Sequence, residues 1–403
     1  MYVDKISISN FRNIKSAFLE FDKEVNIIYG DNAQGKTNLL EIFYVFSHGK
    51  GFRSKGDSEL VLFDRDSFSV EMDFYKDKFL RGNTISDEKI FSNEKSFSSE
   101  KGFKENIKVS YSKNLKKEIY YNYSKVSKLS EFLGAFKCVL FTPEHLNLVK
   151  EGPLEKRKFL DSALCQQSVK YFSYIVNYNK ILKQRNSLLK NFHDNKNNRL
   201  LLDTYDGYLA KYGSFIAKTR FEFLKDITKN AVDFYSEIAS EKETLSMKYV
   251  SFLDEEILSC KDLSDESFSG EKIIFEKYYE KLKDSVNKDI EKKSTSFGVH
   301  KDDIKFYIDK KDVKSFASQG QQRSCVLALK LAECENIKER FDDYPVLLLD
   351  DIMSELDVKR QDFIINKIKN KQIIITLCDY ERFKNFEKAA MFKVDSGIIK
   401  KVP

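Results

Sequence analysis

Residues 30–37 read Gly-Asp-Asn-Ala-Gln-Gly-Lys-Thr, a full match to the pattern G-x-x-x-x-G-K-[ST]. That pattern serves one chemistry, the cradling of phosphate oxygens by backbone N–H groups at the start of a helix. Gly30 and Gly35 admit a backbone path that a side chain would block. Asp31, Asn32, Ala33 and Gln34 form the body of the loop. Lys36 is placed to reach the β- and γ-phosphates of ATP, and the Thr37 hydroxyl to sit on Mg²⁺. The flanks supply the required context. Val25–Tyr29 is a short apolar run that reads as a buried strand, and Asn38–Phe46 reads as a helix. A chance Gly-rich turn would have neither.

Two further segments carry chemistry. Val346-Leu347-Leu348-Leu349 is an all-apolar run ending in Asp350 and Asp351. Such a run suits a parallel strand buried on both faces, and ligands bind at the carboxyl ends of such strands. Asp350 is expected to hold Mg²⁺, and Asp351 to polarise or position an attacking water. Just upstream, Ser318-Gln319-Gly320-Gln321 leads into a strong helix pattern over 324–340. Ser318, Gly320 and Gln321 at a helix N-terminus form a second anion site. One chain rarely needs two phosphate sites for one nucleotide. In one class of ATPases the second site serves the partner subunit, with ATP sandwiched between two protomers.

The elements that must position these residues follow the same logic. Residues 2–29 hold alternating stretches that read as strands leading into the loop. Residues 60–125 hold more, including Phe68, Val70, Met72 and Phe74, and the polar stretch 93–104 reads as a loop. Lys and Tyr interleave over 107–125, as in a half-exposed hairpin or a nucleic-acid surface. From 155 the pattern becomes helical. Tyr171–Leu189 and Leu202–Phe223 each follow a 3-4 spacing around a polar break, which predicts an antiparallel helical hairpin of about 25–35 residues per helix. A further helix is expected around 271–290.

Composition sets bounds. At 403 residues the chain suggests two or three domains. Lys and Arg outnumber Asp and Glu by 69 to 63, a mildly basic balance compatible with nucleic acid. No apolar run approaches the roughly 20 residues of a membrane span, and the N-terminus has no apolar signal core. Six cysteines lack C-x-x-C spacing, which predicts neither a disulfide nor a cysteine-built metal site and suits a reducing cytoplasm.

The order of motifs resembles the ABC-type ATPase head of the SMC and DNA-repair branch. The resemblance narrows to the RecF family of bacterial recombination-mediator and gap-repair proteins. It runs from Ile6–Asn13 through the phosphate loop, Phe141–Val149, Arg157–Asp161, Leu182–Lys190 and Gly298–Asp303 to the C-terminal motifs. It implies an α/β P-loop head from 1–150 and 295–403, split by a helical lobe at 151–294 that contains the hairpin. It assigns Gly30–Thr37 to ATP, Ser318, Gly320 and Gln321 to a signature acting in trans, and Asp350 and Asp351 to metal and catalysis with Lys36. Asp357 falls in a loop crossing a dimer interface, and Arg12 and Asn13 in a segment near the nucleotide. Thr376 stands where many transport ATPases carry a γ-phosphate-sensing His. Asp351 stands where relatives outside the family often have Glu, which suits slow hydrolysis.

The function implied is ATP-driven dimerisation that clamps DNA without sequence specificity, a weak DNA-stimulated ATPase, roles in gap repair, replication and the SOS response, and RecR and RecO as partners. A transport ATPase subunit would need a membrane partner and usually a Gly-Gly-Gln signature. An SMC-type protein would need hundreds of coiled-coil residues. A non-hydrolysing, ATP-gated interaction module carries the same residues and stays open.

Overall fold

The computed structural model describes residues 1–76, 102–239, 242–259, 270–367, 371–378 and 389–402. The expected loop at 93–104 falls almost entirely outside them. Two compact units divide the chain: 1–143 with 333–403, and 144–332.

The first unit contains two six-stranded sheets. One is antiparallel in the order β2-β1-β4-β5-β6-β7. Its strands are β1 (Tyr2–Phe11), β2 (Ile14–Glu20), β4 (Ser67–Lys76), β5 (Phe103–Ser112), β6 (Lys116–Tyr121) and β7 (Ser124–Lys125). One face is apolar and buried, with Ile6, Ile8, Val70, Met72, Phe74, Ile107 and Val109. Period-2 alternation puts serines on the other face, where Ser9, Ser69 and Ser110 are successive cross-strand neighbours. The Lys/Tyr stretch is an ordinary hairpin of this sheet. Four of its lysines are paired: Lys108 with Glu71, Lys113 with Asp66, Lys117 with Asp57 and Lys125 with Glu118.

The other sheet has the order β15-β14-β3-β13-β12-β8. Its strands are β3 (Val25–Tyr29), β8 (Cys138–Phe141), β12 (Val346–Asp350), β13 (Ile373–Leu377), β14 (Ala390–Asp395) and β15 (Ile398–Val402). All neighbours are parallel except the β14–β15 hairpin at the edge. β8, β12 and β13 are buried along their whole length, as all-apolar strands covered on both faces must be. Helix α1 (Lys36–His48) follows β3, and α10 (Val358–Lys367) follows β12.

The second unit contains α2 (Pro153–Cys165), α3 (Val169–Lys190), α4 (Lys196–Ile238), α5 (Glu255–Leu258), α6 (Gly270–Asp284), α7 (Val286–Lys292) and α8 (Val313–Phe316). It also holds a small sheet, β11-β10-β9, of β9 (Leu245–Val250), β10 (Asp303–Ile308) and β11 (Lys311–Asp312). Helix α9 (Gln319–Phe341) contains the boundary between the units. The expected hairpin is present as α3 and α4, joined by a turn in which the Asn195 side chain caps α4 through Asn198 N–H. The two helices are unequal. α3 has 22 residues, while α4 runs on to 43, or about 64 Å at 1.5 Å per residue. β9 alternates as Leu245-Ser246-Met247-Lys248-Tyr249, a period-2 signal that the sequence reading left unused. Its pairing with β10 draws residues 303–308 to the lobe, so the unit boundary falls at 332/333 where the motif order suggested 294/295.

Two buried arginines organise the lobe. Arg220 donates to Asp161 at 2.7 Å, Tyr171 at 2.9 Å and the Val299 carbonyl at 2.8 Å. Arg185 donates to Asp206 at 2.6 Å, Asp289 at 2.8 Å and Thr295 at 2.9 Å. Arg220 thus joins block 157–161 to 298–303, and Arg185 of block 182–190 pairs with Asp206 and Asp289, giving a charge-paired core in which truncating one partner costs about 3–5 kcal/mol. Beside it runs a one-way chain of hydrogen bonds. Val299 N–H donates to Tyr278, whose hydroxyl lies 3.0 Å from that of Tyr178, which lies 2.8 Å from His300 Nδ1. The other ring nitrogen faces the Thr295 carbonyl at 3.2 Å, so Nε2 carries the proton and Nδ1 accepts. Burial pushes the His300 pKa from 6.5 down to about 4. Between those values the unfolded chain binds the proton and the folded chain does not, so stability falls as pH falls through that window. The melting-temperature gap between wild type and His300→Gln should narrow from pH 7 towards pH 4.5. A gap independent of pH would contradict the assignment.

Candidate functional site

The site lies in the first unit at the carboxyl ends of β3, β13 and β12. Strand register sets its level: Asp350 is beside Thr376, and Thr376 beside Ile28. The phosphate loop leaves β3 with Gly30 at φ +155, and Gly35 at φ +113 ends it as the N-cap of α1. A Cβ on Gly30 would lie 2.2 Å from the Val394 carbonyl oxygen, and one on Gly35 2.5 Å from the Asn13 side chain. Glycine is therefore required at both positions by backbone angle and by close approach. Ala33 is also left-handed, at φ +65.

The loop is braced from two sides. Asn13 donates to the Gln34 carbonyl at 2.8 Å and accepts from the Asn38 amide at 2.9 Å. The turn between β14 and β15 holds Gln34 from the other side, with Ser396 N–H on its side-chain oxygen at 2.5 Å and Gly397 N–H on its carbonyl at 3.0 Å. Arg12 is engaged elsewhere. Its guanidinium forks onto Glu41 of α1 at 2.8 and 3.2 Å and reaches the Glu59 carbonyl at 2.8 Å.

Lys36 is 6% exposed. Its ammonium folds back onto the carbonyls of Gly30 at 2.5 Å and Asp31 at 2.9 Å, and onto Cys378 Sγ at 3.4 Å. Among the described residues no carboxylate pairs with it. Thr37 donates to Asp350 Oδ1 at 2.9 Å, and Thr376 donates to the same oxygen at 2.8 Å. Asp351 sits at φ +49, a strained backbone for a side-chain-bearing residue. Its N–H is held by Thr376 Oγ1 at 2.9 Å, and its Oδ1 is buried with no hydrogen-bond partner.

Thr376 therefore points into the sheet, where it holds the Asp350 carboxylate and the Asp351 backbone. The residue at the mouth is Cys378, two positions further on the same face. Its thiol touches Asn32 Oδ1 at 2.8 Å, Asp351 Oδ2 at 3.4 Å and Lys36. Burial, and then the hydrogen bond to Asp351, push the thiol above its ordinary value, so it stays protonated at neutral pH. The sequence reading stopped at Thr376 by motif position. The period-2 step past the strand end was the signal available.

The remaining expected residues stand on other elements. Asp357 is exposed and caps α10 through the Arg360 N–H at 3.0 Å. Ser318, Gly320 and Gln321 open α9 in the second unit. Ser318 N–H donates to Gln321 Oε1 at 2.8 Å, and Gln321 N–H donates back to Ser318 Oγ at 3.2 Å, a reciprocal capping box.

A phosphate loop, an Asp-Asp strand end and a helical insertion define an ABC-type P-loop ATPase head. The RecF/RecN/SMC N-terminal domain matches residues 2–400, and the chain belongs to that family. It is 38% identical over 405 residues to the DNA replication and repair protein RecF of Clostridium kluyveri, covering 100% of both chains. It is 36% identical to that of Clostridium perfringens strain SM101, covering 99% of each. A solved structure of the recombination mediator protein RecF with ATP, in the RecFOR pathway, superposes with a TM-score of 0.83 at 35% identity, covering 100% of this chain and 98% of that one. An Smc head bound to the C-winged helix domain of ScpA shares the fold at TM-score 0.52 and 16% identity, covering 100% of this chain and 97% of that one.

The geometry makes Cys378 a reporter of the site. Saturating ATP should slow its alkylation by N-ethylmaleimide, read on the Cys378 peptide by mass spectrometry. Lys36→Ala should lose that protection and weaken ATP binding by about 30-fold or more. An alkylation rate indifferent to ATP in the wild type would place Cys378 away from the phosphates.

Proposed function

We propose that this chain is an ATP-dependent DNA-binding protein of DNA replication, gap repair and recombination. One observation carries the nucleotide part. Among the described residues, a buried ammonium without an anionic partner, Lys36, shares a site with a buried carboxylate oxygen without a donor, Asp351 Oδ1. Isolated buried groups of this kind are costly unless a ligand completes them. A triphosphate supplies the anion to Lys36, and a water beside its γ-phosphate supplies the donor to Asp351.

The oxygens of Thr37 and Asp350 suit Mg²⁺, a hard cation that prefers oxygen ligands. Among the described residues no group of three or more His, Cys, Asp or Glu is arranged to hold a metal ion, so the phosphates would complete its shell. Bound there, Mg²⁺ neutralises phosphate charge. Asp351 orients the attacking water, with Cys378 against its carboxylate and Thr376 holding its backbone N–H. An Asp at this position reaches one methylene less far than Glu, which suits slow turnover.

Signature residues Ser318, Gly320 and Gln321 would complete the site on a second copy, and Asp357 would lie at the shared interface. ATP thus joins two protomers around DNA, and hydrolysis releases them. RecR and RecO are the expected partners, with a cytoplasmic role in the SOS response. Among the described residues no helix is long and apolar enough to cross a membrane.

Helix α3 suits the phosphate backbone of DNA. Its 22 residues include no Asp or Glu. Lys180, Lys183 and Lys190 are exposed and, among the described residues, have no ion-pair partner. Such charges bind by counterion release and without sequence preference.

Light scattering should find a dimer with ATP and a monomer with ADP or without nucleotide, and Lys36→Ala should stay monomeric throughout. Ser318→Arg should bind ATP yet fail to dimerise; a tight dimer in that variant would sink the sandwich model. Asp351→Asn should trap the ATP-bound dimer, and normal turnover would remove Asp351 from the mechanism. Reversing Lys180, Lys183 and Lys190 to Glu together should weaken DNA binding by about tenfold or more at 0.1 M salt and flatten its salt dependence. Unchanged DNA affinity would move the contact off α3.

A further inference from the structure

The capping box at the start of α9 is held from outside itself. Gln321 uses its Oε1 within the box, and its Nε2 donates to Glu243 Oε1 at 2.7 Å. The second oxygen of Glu243 accepts from the Tyr235 hydroxyl at 2.6 Å. Tyr235 is fully buried in the last turn of the 43-residue helix α4. Burial first, and then Glu243, push its hydroxyl far above the ordinary range, so it donates at any working pH. The next residue fixes the backbone. Thr244 N–H donates to Asp309 Oδ1 at 3.0 Å, and Asp309 N–H returns to the Thr244 carbonyl at 3.0 Å.

The chemistry of this chain is directional. An ionised carboxylate only accepts, so the NH₂ end of Gln321 must face Glu243. Its carbonyl end must then face Ser318 N–H. Ser318 Oγ in turn accepts from Gln321 N–H, which leaves the hydroxyl proton to donate outward. With Glu243 absent, Ser318 N–H still fixes the sense of the amide, but the box loses its anchor to α4.

We infer that Glu243 is a positioning residue for the signature motif. It holds the Gln321 side chain, and with it the Ser318 backbone N–H at the start of α9, in place for a nucleotide held by a second copy of the chain, and it ties that cap to the end of α4. The inference rests on the two-copy reading above. The role is a hydrogen-bonding one, because a negative charge beside an anion site opposes phosphate. Neutral Gln at 243 keeps an acceptor for Gln321 and removes that charge.

The test compares Glu243→Ala, Glu243→Gln and Tyr235→Phe by two readouts on the full chain: monomer affinity for a fluorescent ATP analogue, and the ATP-dependent dimer constant. Melting temperatures serve as a folding check. Glu243→Ala should weaken dimerisation by about 10- to 100-fold, the loss of a charged hydrogen bond, with monomer nucleotide affinity unchanged. Glu243→Gln should dimerise at least as tightly as wild type. Tyr235→Phe should lie between, since it frees one carboxylate oxygen but leaves the contact to Gln321. Wild-type dimerisation in Glu243→Ala would overturn the inference. So would a loss in Glu243→Gln equal to that in Glu243→Ala, or a parallel loss of monomer nucleotide binding. If Glu243→Ala does not fold, the Gln and Phe variants decide by the same criteria. A wild type that stays monomeric with ATP is the distinct failure of the two-copy reading.

Discussion

Asp350 Oδ1 accepts two hydroxyls at once, Thr37 from the start of α1 and Thr376 from β13. That single oxygen joins three neighbouring strands at their carboxyl ends, because Thr37 stands just beyond β3, Thr376 lies in β13 and Asp350 ends β12. The rest of the site depends on it. Register puts Thr376 level with Asp350, so Asp351 and, two residues past Thr376, Cys378 stand just beyond the strand ends. There Asp351 turns into a left-handed conformation, and Cys378 reaches across to Lys36 and Asn32. Parallel strands make this convergence possible, since all their carboxyl ends open on one edge.

The loop itself needs outside support. Its three residues with positive φ, Gly30, Ala33 and Gly35, give it a path that local propensity does not favour. Asn13 and the turn at Ser396–Gly397 hold that path from the two ends of the chain. A nucleotide therefore meets a preformed cradle, and little ordering cost is left to binding. The lobe solves a comparable problem with charge. Arg185 and Arg220 draw together segments up to 110 residues apart, and each guanidinium spreads its donors over several acceptors. Buried cations of this kind fix one arrangement of helices, because alternatives leave a charge unpaired.

Sequence and structure agree where the signal is local and periodic. The phosphate loop, the Asp-Asp strand end, the serine-bearing capping box and the helical hairpin were all legible, since each rests on a residue pattern within one or two turns. Thr376 shows where that reading stops. Motif position placed it where many transport ATPases carry a phosphate-sensing His; here its side chain faces Asp350 inside the sheet, and Cys378 takes the mouth. The lobe boundary moved for a similar reason. β9 and β10 lie more than fifty residues apart, and only their pairing shows that residues 303–308 belong with the lobe.

By itself, then, the sequence determined what residues the chain carries for chemistry: a cation and hydroxyl on a glycine-rich loop, two carboxylates after a buried strand, and a Ser-x-Gly-Gln segment opening a helix later in the chain. Those follow from residue types at short spacings. The tertiary structure decided which groups share an oxygen, which lysines are neutralised and which stay free, and that Arg12 faces Glu41. It also set Gln321 against Glu243. These depend on strand register and helix packing across tens to hundreds of residues, and no local pattern encodes a contact between partners that far apart.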